Sequence, residues 1–273
     1  MRITESINKR TNDIDKCETI EMVRMINDED KSVAFAVEKE LQNIALAIDK
    51  AALSLQNGGR MFYVGTGTSG RIGVLDASEC PPTYGVSEEM VKAILAGGIE
   101  GITNAANGDE DSHEAGMKDL QKEGVNKKDV VVGITASGRT PYVIGAINHA
   151  KSMGALTIGI CNNPDTELSR IADITIAAIT GPEVIQGSTR MKAGTAQKMI
   201  LNMISTGVMV KLGRTCGNIM IDLDANNEKL YGRAENIVCN LTGTNKDTAR
   251  KALSACEYNI REAVKLIENG DVK

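Results

Sequence analysis

Apolar residues recur at three- and four-residue spacing through residues 18–57, in "IEMVRMINDED" and "KSVAFAVEKELQNIALAIDKAALSLQN", until Gly58-Gly59 ends the run. That period predicts helix. The pattern then changes to short unbroken apolar runs: "MFYVG" (61–65), "VKAILAG" (91–97), "VVVGITA" (130–136), "LTIGICN" (156–162) and "DITIAAI" (173–179). Runs of this length suit strands buried on both faces, as in a parallel sheet. Helical stretches separate most of them, for example 113–123 and 142–153. The alternation predicts an α/β fold, a three-layer sandwich with a mainly parallel sheet. From Thr189 the chain reads as helix again: "TRMKAGTAQKMILNMISTGVMVKLG" ends near Gly213, and 226–242 and 246–269 suit two or three more helices. The expected division is an N-terminal helical segment (1–56), a sandwich domain (57–214) and a C-terminal helical segment (215–273).

Composition narrows the field. A chain of 273 residues can bury a sizeable core without disulfides or metals. The net charge of −5 is dispersed, with no basic stripe for nucleic acid, and 3% aromatics without Trp offers no base-stacking platform. Cys17, Cys80, Cys161, Cys216, Cys239 and Cys256 form no C-x-x-C pair, and His113 and His149 are the only histidines, so zinc-ligand spacing is absent. The scattered cysteines suit reduced thiols of a cytoplasmic protein. The polar start "MRITESINKRTNDIDK" carries no signal-peptide pattern, and no apolar run approaches the ~18 residues of a membrane helix.

The candidate chemistry begins after the first strand run. Gly65-Thr66-Gly67-Thr68-Ser69-Gly70 satisfies the G-x-G-x-x-G pattern, but a dinucleotide site expects an acid at the end of the second strand, which here reads "ILAGG". The Walker A pattern fails as well, because Arg71 follows Gly70 where Lys is required. What remains are two hydroxyl-rich loops that each open a helix: Thr66, Thr68 and Ser69 after the first strand, Thr135, Ser137 and Thr140 after the third. Both loops carry a Ser-Gly-Arg echo, Ser69-Gly70-Arg71 and Ser137-Gly138-Arg139. Helix N-termini supply unpaired N–H groups and partial positive charge, hydroxyls add donors, and Gly67, Gly70 and Gly138 admit close backbone approach. A Ser or Thr before a helix is also an ordinary cap. Two such loops at one sheet edge favour an anion site, and a phosphate monoester such as a sugar phosphate is the expected ligand. In "GSTRMKAG" (187–194), Ser188 or Thr189 is a candidate cap of the long helix.

Two acidic features stand out. Glu79 precedes Pro81-Pro82, where the helix beginning near Ser69 is expected to stop. A carboxylate there faces the negative pole, and burial would favour its neutral form, as a general acid requires; an exposed Glu in a last turn is the plainer reading. Asp109, Glu110 and Asp111 crowd before a helix capped by Asp111 or Ser112, either as a solvated turn or with Glu110 directed into a pocket as a base.

The segments "GTGTSGRIGVLDASECPPTYG", "VVVGITASGRTPYV", "GPEVIQGSTRMKAGTAQKMILNMIST" and "NEKL" resemble the N-acetylmuramic acid 6-phosphate etherases, members of the sugar isomerase (SIS) group of phosphosugar-binding folds. The resemblance runs from "INDEDKSVAFAVE" to about Asn240. It implies a flavodoxin-like SIS domain with helical additions and a lyase that splits the D-lactyl ether of N-acetylmuramic acid 6-phosphate in cell-wall sugar recycling, with no cofactor or metal. It implies a proton donor at Glu79, in "DASECPP", and a second catalytic carboxylate at Glu110, in "GDEDSHEAG". The expected phosphate- and sugar-binding set is Thr66, Thr68, Ser69, Gly70, Arg71, Ser78, Thr135, Ser137, Gly138, Arg139, Thr140 and Lys192. A homodimer with its site near the interface is also implied, contacting neither nucleic acid nor membrane. Many members of the family run longer at the C-terminus than "AVKLIENGDVK". A non-catalytic phosphosugar sensor, such as the related glucokinase regulatory protein, is disfavoured by the presence of both Glu79 and Glu110. A sugar-phosphate isomerase would release no lactate.

Overall fold

The structure, a computed structural model, describes residues 3–104, 109–225 and 227–272. The elements in chain order are α1 (Thr19–Glu38), α2 (Leu41–Gln56), β1 (Met61–Gly65), α3 (Gly67–Tyr84), β2 (Val91–Leu95), the single turn α4 (Glu100–Thr103), α5 (His113–Lys122), β3 (Val130–Ile134), α6 (Pro141–Ser152), β4 (Leu156–Cys161), α7 (Glu167–Ile171), β5 (Ile174–Ala177), α8 (Lys192–Lys211), α9 (Glu228–Thr242), α10 (Lys246–Ala255) and α11 (Ile260–Glu268). They form two compact units, Met1–Ala77 with Glu89–Val208, and Ser78–Glu88 with Met209–Lys273.

The first unit is built on a five-stranded, all-parallel sheet of order β2-β1-β3-β4-β5. Every residue of β1 and β3 is buried, which is why these strands read as continuous apolar runs rather than alternating ones. Alternate side chains feed two cores. Phe62, Val64 and Val131 pack with Tyr142, Val143 and Ile147 of α6 on one face. α5 lies against α6 where Gly145 leaves no room for a side chain, since a Cβ there would come within 2.0 Å of the His113 carbonyl. On the other face the Tyr63 hydroxyl donates to Asp76 of α3 at 2.9 Å, and Asp76 also accepts from Asn202 and Ser205 of α8. α2 joins this layer, with Ile48 filling the space beside Gly207 of α8. The result is the expected three-layer α/β sandwich.

Three features differ from the sequence-based expectation. The first helical run breaks at Lys39-Glu40 into α1 and α2. Residues before 57 do not stand apart: the Ile3 N–H donates to Asn163 Oδ1 at 2.8 Å, Thr11 Oγ1 donates to the Val184 carbonyl at 2.7 Å, and Glu29 pairs with Lys192. This segment is part of the first unit. Finally, Pro81 and Pro82 do not stop α3, which contains both and ends at Tyr84. Each proline carries a helical φ but forgoes an N–H donor and crowds the carbonyl four residues back, so both sit in the helix at a local cost. Gly85, at φ +58°, closes the last turn by donating its N–H to the Pro81 carbonyl at 2.9 Å.

In the second unit α9, α10 and α11 pack around Ala234, Val238, Ala249, Leu253, Ile260 and Ala263. Asn227, Asn245 and Asn259 cap the three helices in turn, each accepting a backbone N–H with its side-chain oxygen. Arg261 forms an ion pair with Asp222, and Arg250 one with Glu235 at 2.8 Å.

Candidate active site

The strand order reverses between β1 and β3, and in open parallel sheets this switch point opens a crevice at the carboxyl ends of the strands. Gly65 and Ile134 are register partners there, so the chain leaves the sheet at Thr66 and Thr135 on adjacent positions of one rim. The two hydroxyl-rich loops are therefore neighbours, each leading into a helix.

The β3–α6 loop is organised around one oxygen. Thr135 Oγ1 lies 2.7 Å from Thr140 Oγ1 and 3.2 Å from Ser137 Oγ. Ser137 Oγ also accepts the Arg139 N–H at 3.3 Å. Thr140 stands at the N-cap of α6 without capping it, because its hydroxyl is turned to Thr135. Pro141 at the first helical position has no N–H to satisfy. The turn depends on Gly138 at φ +66°, where a Cβ would fall 2.4 Å from Thr166, the cap of α7. Hydroxyls converging on an uncapped helix N-terminus are a ready anion cradle. Arg139 is exposed beside a cleft of about 380 Å³ lined also by Glu5, Ser137, Asn163 and Thr166.

The β1–α3 loop is tied to α8. Thr66 is buried, and its carbonyl accepts the Gly70 N–H at 3.1 Å. Thr68 faces the start of α8, where a Cβ on Gly194 would lie 3.3 Å from its methyl group. Ser69 Oγ donates to Gln197 Oε1 at 2.8 Å. Gln197 and its partner Asn162 did not emerge from sequence reasoning, since neither sits in a loop motif. Arg71 turns away from the loop: Nε donates to the carbonyls of Gly101 and Ile102 at 3.2 and 2.8 Å, and Nη2 to that of Asn104 at 2.7 Å. It secures the end of α4.

Lys192 is fully buried, and its Nζ donates to Glu29 Oε2 at 2.6 Å. Arg10 grips the same carboxylate through Nε and through Nη2, the latter at 2.9 Å. The Arg10 guanidinium, with Lys192 behind it, holds the Glu29 carboxyl down to about 2 against the opposing effect of burial. Ser188 and Thr189 do not cap α8. Glu183 does, accepting the N–H groups of Lys192 and Ala193 at 2.9 Å each. A carboxylate at a helix N-terminus complements both orphan donors and the dipole, while burial pushes the Glu183 carboxyl up.

Glu79 and Ser78 are exposed in the second unit, and α3 continues past Glu79 through Cys80-Pro81-Pro82-Thr83-Tyr84, so the expected last-turn placement does not hold. Glu110 is exposed in the first unit, in the turn Asp109–Asp111. Ser112 caps the following helix, donor Ala115 N–H, at 3.1 Å. Among the described residues, no group of three or more His, Cys, Asp or Glu side chains is placed to hold a metal ion.

A switch-point crevice flanked by hydroxyl-bearing, helix-opening loops defines an α/β domain of the SIS class, and a family model for the SIS domain matches residues 109–206. The N-terminal SIS domain of glucokinase regulatory protein matches 43–151, and the C-terminal lid domain of that protein matches 217–273. The chain is 56% identical over 267 residues to an N-acetylmuramic acid 6-phosphate etherase of Clostridium botulinum (strain Okra / Type B1), covering 98% of this chain and 88% of that one. It is 55% identical to the protein of that name from Clostridium beijerinckii, with 96% and 86% covered. The chain belongs to the N-acetylmuramic acid 6-phosphate etherase family of enzymes. Among solved structures, a phosphoheptose isomerase from Francisella tularensis shares the fold at a TM-score of 0.54 and 14% identity, covering 71% of this chain and 100% of that one.

Proposed function

We propose that this enzyme cleaves the D-lactyl ether of N-acetylmuramic acid 6-phosphate, giving N-acetylglucosamine 6-phosphate and D-lactate. The observation that carries the reading is the pair of hydroxyl-bearing loops at the β1/β3 switch point, in a chain of this family. Thr135, Ser137, Gly138 and Thr140 and the N-terminus of α6 receive the phosphate. Thr66, Thr68, Ser69 and Gly70 join them in holding the phosphate and sugar, while Arg71 and Lys192 act through the protein groups they bind.

In the ring-opened sugar the C1 aldehyde acidifies the C2 proton. Glu110 removes it as base. The C3–O bond to lactate then breaks as electrons move into the C2–C3 double bond, and Glu79 protonates the departing oxygen. Water adds at C3 of the unsaturated aldehyde, Glu79 taking its proton, and C2 is reprotonated from Glu110. Each proton transfer contributes ~10²–10⁴-fold. The division of labour is tested in deuterated solvent. Glu79→Ala is expected to exchange the C2 proton without releasing lactate. Loss of exchange in Glu79→Ala, with exchange intact in Glu110→Ala, reverses the roles.

The enzyme is also proposed to be a cytoplasmic homodimer. Phe35 of α1 and Leu53 of α2 are 65% and 55% exposed, apolar surface that a second copy would cover. Sedimentation that gives a single-chain mass at micromolar concentration removes this part.

A further inference from the structure

α5 and α6 meet near their first turns, and two glycines let them do so. On α6, Tyr142 and Gly145 stand three residues apart on one face; on α5, His113 and Gly116 do the same. Each glycine lies against the other helix's carbonyl. A Cβ on Gly145 would fall 2.0 Å from the His113 oxygen, and one on Gly116 1.9 Å from the Tyr142 oxygen. A close carbon–oxygen contact between helices is about 3.3–3.6 Å, so a methyl at either place parts the helices by about 1 Å or more. The Tyr142 hydroxyl, donating to Asp119 Oδ2 at 2.8 Å, ties the pair again further along α5.

This contact joins two parts of the chemistry. α6 opens directly from Thr140, in the β3–α6 loop that receives the phosphate. α5 opens from Ser112, whose N–H donates to the Asp109 carbonyl at 3.1 Å and so closes the turn that carries Glu110. The two helices are not equally fixed. Val143, Ile144 and Ile147 are fully buried, and α6 sits so close to β3 that a Cβ on Gly133 would come within 2.8 Å of both Val143 and Ile147. Of α5, only Gly116 and Leu120 are buried. A wedge between the two therefore displaces α5 and leaves α6 on the sheet. We infer that Gly145 and Gly116 are positioning residues for the reaction: their interlock sets where Glu110 stands relative to the phosphate held at the start of α6. The inference rests on the proposed role of Glu110 as base and adds what fixes its place.

Three measurements test it: lactate release from N-acetylmuramic acid 6-phosphate, exchange of the C2 proton of N-acetylglucosamine 6-phosphate in deuterated solvent, and calorimetric titration with inorganic phosphate. A misplacement of about 1 Å costs on the order of a hundredfold in rate. Gly145→Ala and Gly116→Ala should each lower kcat and C2 exchange by about that factor, with KM and phosphate affinity within about threefold of wild type. Leu120→Ala is the control for plain destabilisation. It empties a buried site in the second half of α5, and should lower the urea midpoint while keeping kcat and exchange within about threefold. Should the glycine variants not fold, Ser112→Ala loosens the first turn of α5 without a clash, and should reduce exchange about three- to tenfold at unchanged phosphate affinity. Wild-type exchange in the glycine variants, or in Ser112→Ala where they do not fold, overturns the inference while leaving the proposed function standing. So does phosphate affinity lost in step with exchange, or a Leu120→Ala protein that loses exchange as far as Gly145→Ala. Wild-type protein without exchange, or Glu110→Ala with full exchange, removes the proposed role of Glu110 and the inference with it.

Discussion

Lys192→Met separates an ammonium that serves a ligand from one that serves the fold. The lysine side chain is 1% exposed and its partner Glu29 3%, with 2.6 Å between Nζ and Oε2. Breaking a buried ion pair by removing one partner costs about 3–5 kcal/mol, because the remaining charge keeps its desolvation penalty without its counter-ion. Arg10 still contacts Glu29 but is 70% exposed, so it compensates only in part and the expected loss is about 3 kcal/mol. That is a large share of a total stability on the order of 5–15 kcal/mol. The pair also has a pH signature. The Glu29 carboxyl lies at about 2 in the folded chain against an ordinary 4.5. A depressed carboxyl contributes stability that is fully present above 4.5 and is lost as pH falls toward about 2, roughly 3 kcal/mol in all. Without Lys192 the carboxyl moves back up, so acid destabilisation is smaller in total. Urea unfolding followed by circular dichroism, at pH 7 and at stepped lower pH, reads both effects. The double variant Glu29→Gln with Lys192→Met should regain at least half of the loss. A Lys192→Met protein with unchanged urea midpoint and a hundredfold loss of sugar-phosphate affinity would refute the reasoning and return Lys192 to the ligand.

Three further outcomes follow from the rim. Gly138→Ala puts a Cβ 2.4 Å from Thr166 at φ +66°, so about 2–3 kcal/mol of stability and more than tenfold in phosphate affinity should be lost, seen by thermal melts and titration. Thr135→Val removes the oxygen on which Ser137 and Thr140 converge; an affinity loss of about tenfold, with stability changed by about 1 kcal/mol, is expected from the same measurements. Glu183→Ala orphans the two N–H groups that open α8 and should lower stability by about 2 kcal/mol in urea titration.

The strands were legible because each falls in a short, largely apolar run, rich in β-branched residues in β3, and burial on both faces keeps β1 and β3 apolar. The runs overshoot at their ends, at Thr135-Ala136 for example, because apolarity continues where the chain has already turned toward the rim. α3 ran on through its prolines to Tyr84, although local propensity alone stops a helix there. Side-chain destinations were the least legible. Arg71 is a cation beside a loop of anion-binding type, yet its fork meets carbonyls thirty-odd residues along the chain, at Gly101, Ile102 and Asn104. Glu183 caps α8 from the preceding loop, although Ser188 and Thr189 are nearer in sequence. Gln197 and Asn162 look like unremarkable buried amides until the sheet brings Ala178 beside them. Of the candidate carboxylates, Glu79 and Glu110 are both exposed on their own units, so nothing in their local surroundings marks the roles proposed for them.

The most direct measurement is enzymatic release of D-lactate by the purified protein, with N-acetylmuramic acid 6-phosphate and with the unphosphorylated sugar at equal concentration. The account predicts lactate from the phosphorylated compound, a rate lower by orders of magnitude from the other, and a raised KM for the phosphorylated one in Thr135→Val. Equal rates from both sugars, or no lactate from either, would contradict it.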